Sequence, residues 1–227
     1  MRSVKQPLEQ KYREELSVLG RLFGSRLSAS TLTRLNEIFE HTEGLWQRYV
    51  DQIPDRMVQY LLVAEAPPWS ETGRPQYILD PLSRPRTLMN ALCRAFFGRP
   101  IYNELGVEAT LSALAQHGFL VVDSIPFAMP YGGKRGNRAY KELVWMTCGT
   151  YLGEKLRGNN LTYSDTLNIA FAFKLNALEV MKGVNNEFVL AAKRRPLNSG
   201  MIAVNNAGYP DGGILSKILG LDKKFPV

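Results

Sequence analysis

The chain reads as an α/β protein: a three-layer α/β/α domain on a mainly parallel four-stranded sheet, with an N-terminal helical extension. Three observations predict this. Apolar runs of strand length (Tyr60–Ala64, Phe119–Val122, Leu167–Phe173 and Met201–Val204) are separated by stretches of helical periodicity. The first run is apolar throughout rather than alternating, as in a parallel strand covered on both faces. The first two runs also end alike, in an acid followed by proline: Glu65-Ala66-Pro67-Pro68 and Asp123-Ser124-Ile125-Pro126. Proline has no N–H to give a ladder, so each strand must stop there.

Residues 8–53 read as two helices. Leu16, Leu19, Leu22 and Phe23 form one stripe, Gly24-Ser25 interrupts, and Leu32, Leu35, Phe39 and Trp46 form the next. Residues 1–58 are therefore assigned to a helical extension packed on a main domain, residues 59–227. Within that domain Ser70–Pro85 is a loop, punctuated by Gly73, Pro75, Pro81 and Pro85. Arg86–Phe97 is a helix stopped by Gly98 and Pro100, and Asn103–His117 a helix ended by Gly118. Pro126–Asn137 is a second loop, rich in Gly, Lys and Arg; Ala139–Arg157 is a helix. A short helix to Gly183 follows the third strand, and Ile214–Leu219 closes the chain. Alternation of strand and helix implies parallel strands joined by right-handed crossovers.

Charge narrows the partners. Of 227 residues, 28 are Lys or Arg and 21 Asp or Glu, a net charge of +7, which favours an anionic partner and nucleic acid first. Two cysteines, Cys93 and Cys148, supply neither a disulfide framework nor a thiolate metal cage, and fit a reducing, cytoplasmic setting. Met1–Pro7 lacks the apolar core of a signal peptide, and no apolar run has the length of a membrane span. No spacing argues for a metal or a Ser-His-Asp arrangement, so the expectation is a cofactor-free monomer.

Ligands of open α/β sheets bind outside the carboxyl ends of the strands. Three loops leave those ends here. The first carries Glu65, Trp69, Arg74 and Tyr77. The second carries Asp123, Phe127, Tyr131, Lys134, Arg135 and Arg138. The third carries Asn205, Asn206, Tyr209 and Asp211, then Gly212-Gly213 at a helix start, where backbone N–H groups suit an anion. Acids, aromatics, asparagines and cations on one face match a base-binding pocket, in which a ring stacks, a polar group reads an edge and cations hold phosphates.

In order and spacing, residues 59–219 resemble the uracil-DNA glycosylase superfamily, especially the branches whose first motif is Gly-Glu-Ala-Pro-Gly. Ala64-Glu65-Ala66-Pro67-Pro68 stands at that motif, and Gly73-Arg74-Pro75 resembles the Gly-Arg-Pro after it. Val121-Val122-Asp123-Ser124 stands where the family has a strand ending in a base-reading asparagine. Gly136-Asn137-Arg138 resembles its Gly-Asn-Arg, followed by Cys148 and Tyr151-Leu152, and Asn205-Asn206-Ala207-Gly208 stands at its His-Pro loop. The chain departs from the pattern in four ways. Asp123 replaces asparagine, and the third loop has no histidine, since His41 and His117 both lie in expected helices. The iron–sulfur cysteines are missing, and bulky Pro68-Trp69 replaces a small residue.

The resemblance implies a DNA glycosylase that flips out a base and hydrolyses its N-glycosidic bond. Glu65, Asp123 and Asn206 are then the expected catalytic residues; Ala66, Trp69, Tyr77, Asp123 and Asn205 the base-binding ones. Lys134, Arg135, Arg138 and Ser216 would contact DNA phosphates, with Lys193-Arg194-Arg195 as a second basic run. An ionised Asp123 accepts hydrogen bonds and donates none, which suits the N4 amine of cytosine and opposes the O4 of uracil. Asp123 therefore favours a modified cytosine as substrate, whereas the family resemblance favours uracil. The alternative is an inactive DNA- or nucleotide-binding member of the same fold.

Overall fold

A computed structural model describes residues 8–24, 27–84, 87–129, 137–183 and 197–226. Three strands, β1 (Met57–Ala64), β2 (Phe119–Asp123) and β3 (Thr162–Phe171), form one all-parallel sheet in the order β2-β1-β3. Tyr60 to Ala64 pair in step with Phe119 to Asp123, so Glu65 and Ser124 emerge side by side just past the strand ends. On its other edge β1 pairs Tyr60 with Asn168 and Val63 with Phe171. Leu61, Leu62 and Val63 are almost wholly buried, the reason for their unbroken apolar run.

Two strand expectations need correction. β3 starts five residues before the expected Leu167, because its first half is polar and largely exposed and carries no hydrophobic signal. The expected fourth strand does not extend into a ladder. Ser199–Met201 is a 3-10 turn capped by Asn198, and only Ile202 bridges to Phe171 before Val204 pairs back to Pro210. Ile202, Ala203 and Val204, held between that capped turn and the turn at Asn205, are too few to pair further.

The helices are α1 (Leu8–Lys11), α2 (Arg13–Phe23), α3 (Ala29–Val50), α4 (Thr87–Phe97), α5 (Tyr102–Gln116), α6 (Arg138–Thr147), α7 (Glu154–Arg157), α8 (Lys174–Gly183) and α9 (Gly212–Ile218). None is long and apolar enough to cross a membrane. The first expected helix divides at Tyr12, whose backbone leaves the helical region. Ser28 caps α3 by accepting the Thr31 N–H at 3.1 Å, and Asn137 caps α6 by accepting that of Ala139 at 2.9 Å. The single helix expected over 139–157 is interrupted by a π-helical turn, Cys148–Gly153. Such wide turns re-aim the side chains beyond them; here Tyr151 and Lys155 both end up buried.

β2 is an edge strand, and α3 covers it. The Trp46 indole N–H donates to the Val121 carbonyl at 2.9 Å and the Tyr49 hydroxyl to that of Phe119 at 3.0 Å. The alternate carbonyls that an unpaired edge leaves open are thereby satisfied by the N-terminal segment. Gly118 turns α5 into β2 at φ +68, and a Cβ there would stand 2.8 Å from the Met57 carbonyl oxygen. Gly212 is required by close packing. Its Cβ would lie 2.7 Å from that of Arg94 and 2.9 Å from the Ala91 carbonyl oxygen, so only glycine lets α9 settle on α4.

Candidate active site

Outside the carboxyl ends of β1 and β2 lies a cavity of about 370 Å3. Glu65, Ala66, Tyr77 and Asp123 all line it, with Tyr209 and Pro210 from the third loop. The register of β1 on β2 explains the meeting of the two acids, since Asp123 is opposite Ala64 and Glu65 is the next residue. Most of the remaining wall is apolar, including Ile78, Leu88, Met89 and Phe173.

Glu65 is buried, at 1 % exposure, yet it is held by polar groups. The Tyr140 hydroxyl on α6 donates to its Oε1 at 2.7 Å. Asn176 on α8 donates through Nδ2 to the Tyr140 oxygen at 3.2 Å and to Ser124 Oγ at 2.7 Å. Ser124 in turn donates to the Glu65 carbonyl at 3.0 Å. Asn176 thus donates into two arms that both end on Glu65, one through Tyr140 on its carboxylate and one through Ser124 on its backbone carbonyl, which fixes the residue in place.

Asp123 is held differently. Burial pushes its carboxyl up to about 7, against the pull of the Lys155 cation and the adjoining Tyr77 phenol; Glu43 and Glu65 add to the rise. Tyr77, itself buried, has its phenol driven well above the ordinary range by burial and by Asp123. The two acids of the cavity thus differ in their surroundings: Glu65 accepts a phenol hydrogen bond, while Asp123 is poised between its charged and neutral forms near neutrality.

α3, the π-helical turn and α7 meet in a largely buried polar cluster. Lys155 Nζ lies 2.7 Å from Glu43 Oε1 and 3.9 Å from the Trp46 ring centroid. The Tyr151 hydroxyl donates to the same Glu43 oxygen at 2.8 Å. Burial pulls Lys155 down, and Glu43 and Asp123 pull it back up. A further acid, Asp80, lines the cavity wall but is engaged by its own loop and by α3. Its Oδ2 lies 3.2 Å from His41 Nε2 and 3.4 Å from Arg74 Nε, and its Oδ1 accepts the Leu82 N–H. Arg34 on α3 donates to the Ser70 and Gly73 carbonyls, so the loop bearing Tyr77 is fastened to the N-terminal segment at both ends.

Other expected site residues lie elsewhere. Trp69 is half-buried, packs edge-on against Phe23 at 5.0 Å and does not line the cavity. Asn205 uses Oδ1 to accept the Ala207 and Tyr209 N–H groups and so builds its own turn. Asn206 is exposed beside it, outside the cavity lining; from that loop it is Tyr209 that reaches the cavity. Ser216 ties down the C-terminal segment, donating to the Leu221 carbonyl and accepting from Lys224 Nζ. Arg138 is exposed at the start of α6. Tyr131, Lys134, Arg135 and Lys193-Arg194-Arg195 lie outside the described residues.

Sequence reading missed Tyr140, Asn176, Glu43 and Lys155. For Lys155 a signal exists: with Cys148, Tyr151 and Leu152 it forms an i, i+3, i+4, i+7 stripe, so a lysine occupies an apolar face. No such local signal marks Asn176 or Tyr140. Among the described residues no group of three or more His, Cys, Asp or Glu side chains is arranged to hold a metal ion. Comparison of the chain with family models, with curated proteins and with solved structures finds no match.

Proposed function

We propose that this protein is a DNA glycosylase, built on a three-layer α/β/α domain of the uracil-DNA glycosylase type, that hydrolyses the N-glycosidic bond of an extruded base. One observation carries the reading: Glu65 and Asp123, at the tips of adjacent parallel strands, line a single cavity with Tyr77. The positive charge of the sequence and the resemblance of its motifs support the same conclusion.

In this reading the base enters the apolar cavity and presents its edge to Asp123. As the bond between the sugar C1′ and the base nitrogen breaks, its electron pair leaves with the base and C1′ becomes oxocarbenium-like. The Glu65 anion, held by Tyr140, stabilises that charge and accepts a proton from the attacking water, whose oxygen bonds to C1′. The departing nitrogen takes up a proton from solvent and Glu65 releases the one it accepted, so that one water is consumed overall. Ionised Asp123 accepts from an exocyclic amine, which favours a modified cytosine; neutral Asp123 donates to a carbonyl edge such as that of uracil.

One observation favours the second reading, a DNA- or nucleotide-binding protein without chemistry. Asn206 stands outside the cavity, so the third loop brings no described amide there to stabilise the departing base. Abasic-site formation on DNA bearing uracil, hypoxanthine, 5-methylcytosine or 5-hydroxymethylcytosine decides between them. The glycosylase reading expects cleavage of at least one base, abolished by Glu65→Gln while DNA binding is kept. Salt-sensitive DNA binding with no abasic product on any base overturns it in favour of the binding protein.

A further inference from the structure

We propose that Arg84, on the wall of the cavity, binds a phosphate beside the nucleotide whose base enters it. The inference rests on the glycosylase reading and deepens it: the ligand is a phosphodiester of a nucleic-acid strand.

The charge balance of the cavity supports such a role. Three acids line it, Glu65, Asp80 and Asp123, and among the described residues Arg84 is the only lysine or arginine that does. Asp80 is already engaged by His41, Arg74 and the Leu82 N–H. Glu65 and Asp123 are buried at the strand tips. A polyanionic strand that delivers a base to two carboxyl groups is repelled unless a cation stands beside its phosphates. Arg138 and Ser216, expected for this task, do not line the cavity.

The two other arginines at this loop are committed. Arg34 Nε donates to the Ser70 carbonyl at 2.9 Å, and Arg74 Nε lies 3.4 Å from Asp80 Oδ2. Arg84 is exposed and forms no ion pair within 4 Å among the described residues. Its main chain, by contrast, is fixed. Gln76, also on the cavity wall, accepts the Arg84 N–H through Oε1 at 3.2 Å. One residue earlier, the Ser83 N–H donates to the Asp80 carbonyl at 2.9 Å. An uncommitted guanidinium on a held backbone suits a ligand, because its planar fork of donors matches two phosphate oxygens. Its exposure makes the contact one that added salt weakens.

The test measures binding of the full chain to single-stranded oligonucleotides bearing one uracil or one 5-methylcytosine, between about 50 and 200 mM salt. On a single strand, each phosphate neutralised contributes about 0.7 to the slope of log K against log salt. Arg84→Gln is expected to bind about tenfold more weakly at low salt, by the same factor for both bases, with a slope shallower by about 0.7. Arg84→Lys keeps the charge and the slope. Arg56→Gln makes the same change of charge just before β1, at the opposite end of the strand from Glu65, and leaves both near the wild type. A methylphosphonate, placed in turn on each side of the target nucleotide, then removes one phosphate charge at a time. At one of the two positions the wild type is expected to lose as much as Arg84→Gln does, and Arg84→Gln to lose nothing further.

An unchanged slope in Arg84→Gln overturns the proposal and leaves the glycosylase reading in place. So do losses that add in full at both positions, since Arg84 then meets no phosphate of that nucleotide. Deoxyuridine monophosphate that competes at the oligonucleotide's own concentration overturns the strand as the source of the phosphate. A wild type that binds neither oligonucleotide at any salt overturns both the proposal and the glycosylase reading.

Discussion

The Tyr140 hydroxyl and the Glu65 carboxylate, 75 residues apart, meet at 2.7 Å beneath the cavity. Removing the hydroxyl takes a charge-assisted donor from a buried acid and an acceptor from Asn176. Tyr140→Phe is expected to cost about 1–3 kcal/mol of stability, read by urea denaturation. In the proposed glycosylase reaction it should also slow base excision by about tenfold or more through kcat, with KM little changed, because Glu65 is there assigned to the transition state rather than to the bound base. A variant as active as the wild type would show that the ring of hydrogen bonds serves the fold alone.

The cap on the sheet edge makes a second prediction. Trp46 and Tyr49 donate to carbonyls of β2, the edge strand. Tyr49→Phe keeps the ring and leaves the Phe119 carbonyl buried without that donor, an expected loss of about 1–2 kcal/mol. Trp46→Phe/Tyr49→Phe removes both donors and should lose more, with concentration-dependent self-association visible by light scattering as the edge finds other partners. Stability within error of the wild type in the double variant would mean that α3 covers β2 by apolar contact only.

How much was legible follows from the range of each signal. β1 and β2 announce themselves through short apolar runs and the prolines after them, and Glu65 and Asp123 come to one cavity because parallel pairing in register puts their positions side by side. Tyr77 joins them from the next loop. The first half of β3 was illegible because a polar, exposed strand has no periodic signature. Residues 201–204 look like a strand in composition, but a strand also needs length. Asn205 and Asn206 share one residue type and one loop, and local sequence does not reveal that Asn205 is occupied by turn formation while Tyr209 reaches the cavity. The partners that tune the acids, Tyr140, Asn176, Glu43 and Lys155, are brought there by helix packing across long sequence separations.

Two glycines predict opposite outcomes for the same change. Gly118→Ala forces a side chain into a left-handed backbone with its Cβ 2.8 Å from the Met57 carbonyl oxygen. An expected loss of about 2–3 kcal/mol combines the strain with the displaced β1 backbone. Gly149, in the π-helical turn, has open space at its Cβ position and ordinary φ. Gly149→Ala should therefore be neutral or stabilise by up to about 1 kcal/mol. Thermal unfolding of the pair checks both signs in one experiment.

Asp123 makes stability depend on pH in a direction opposite to that of a salt-bridged acid. Its folded carboxyl titrates at about 7, against an ordinary value of 3.8, so the folded state binds the proton more tightly than the unfolded chain. The resulting stabilisation is fully present below about pH 4, declines as the unfolded chain ionises, and is gone once the pH rises through about 7. An amide in place of this carboxyl cannot ionise and loses nothing over that window. Asp123→Asn should accordingly match the wild type near pH 4 and exceed it by up to about 4 kcal/mol at about pH 8, since the folded and unfolded carboxyls titrate roughly three pH units apart. Denaturant titrations at the two pH values measure the difference. Equal stability of the two proteins at alkaline pH would place the Asp123 carboxyl in water or in a closer partnership with Lys155, and the proton-poised acid of the cavity would be lost with it.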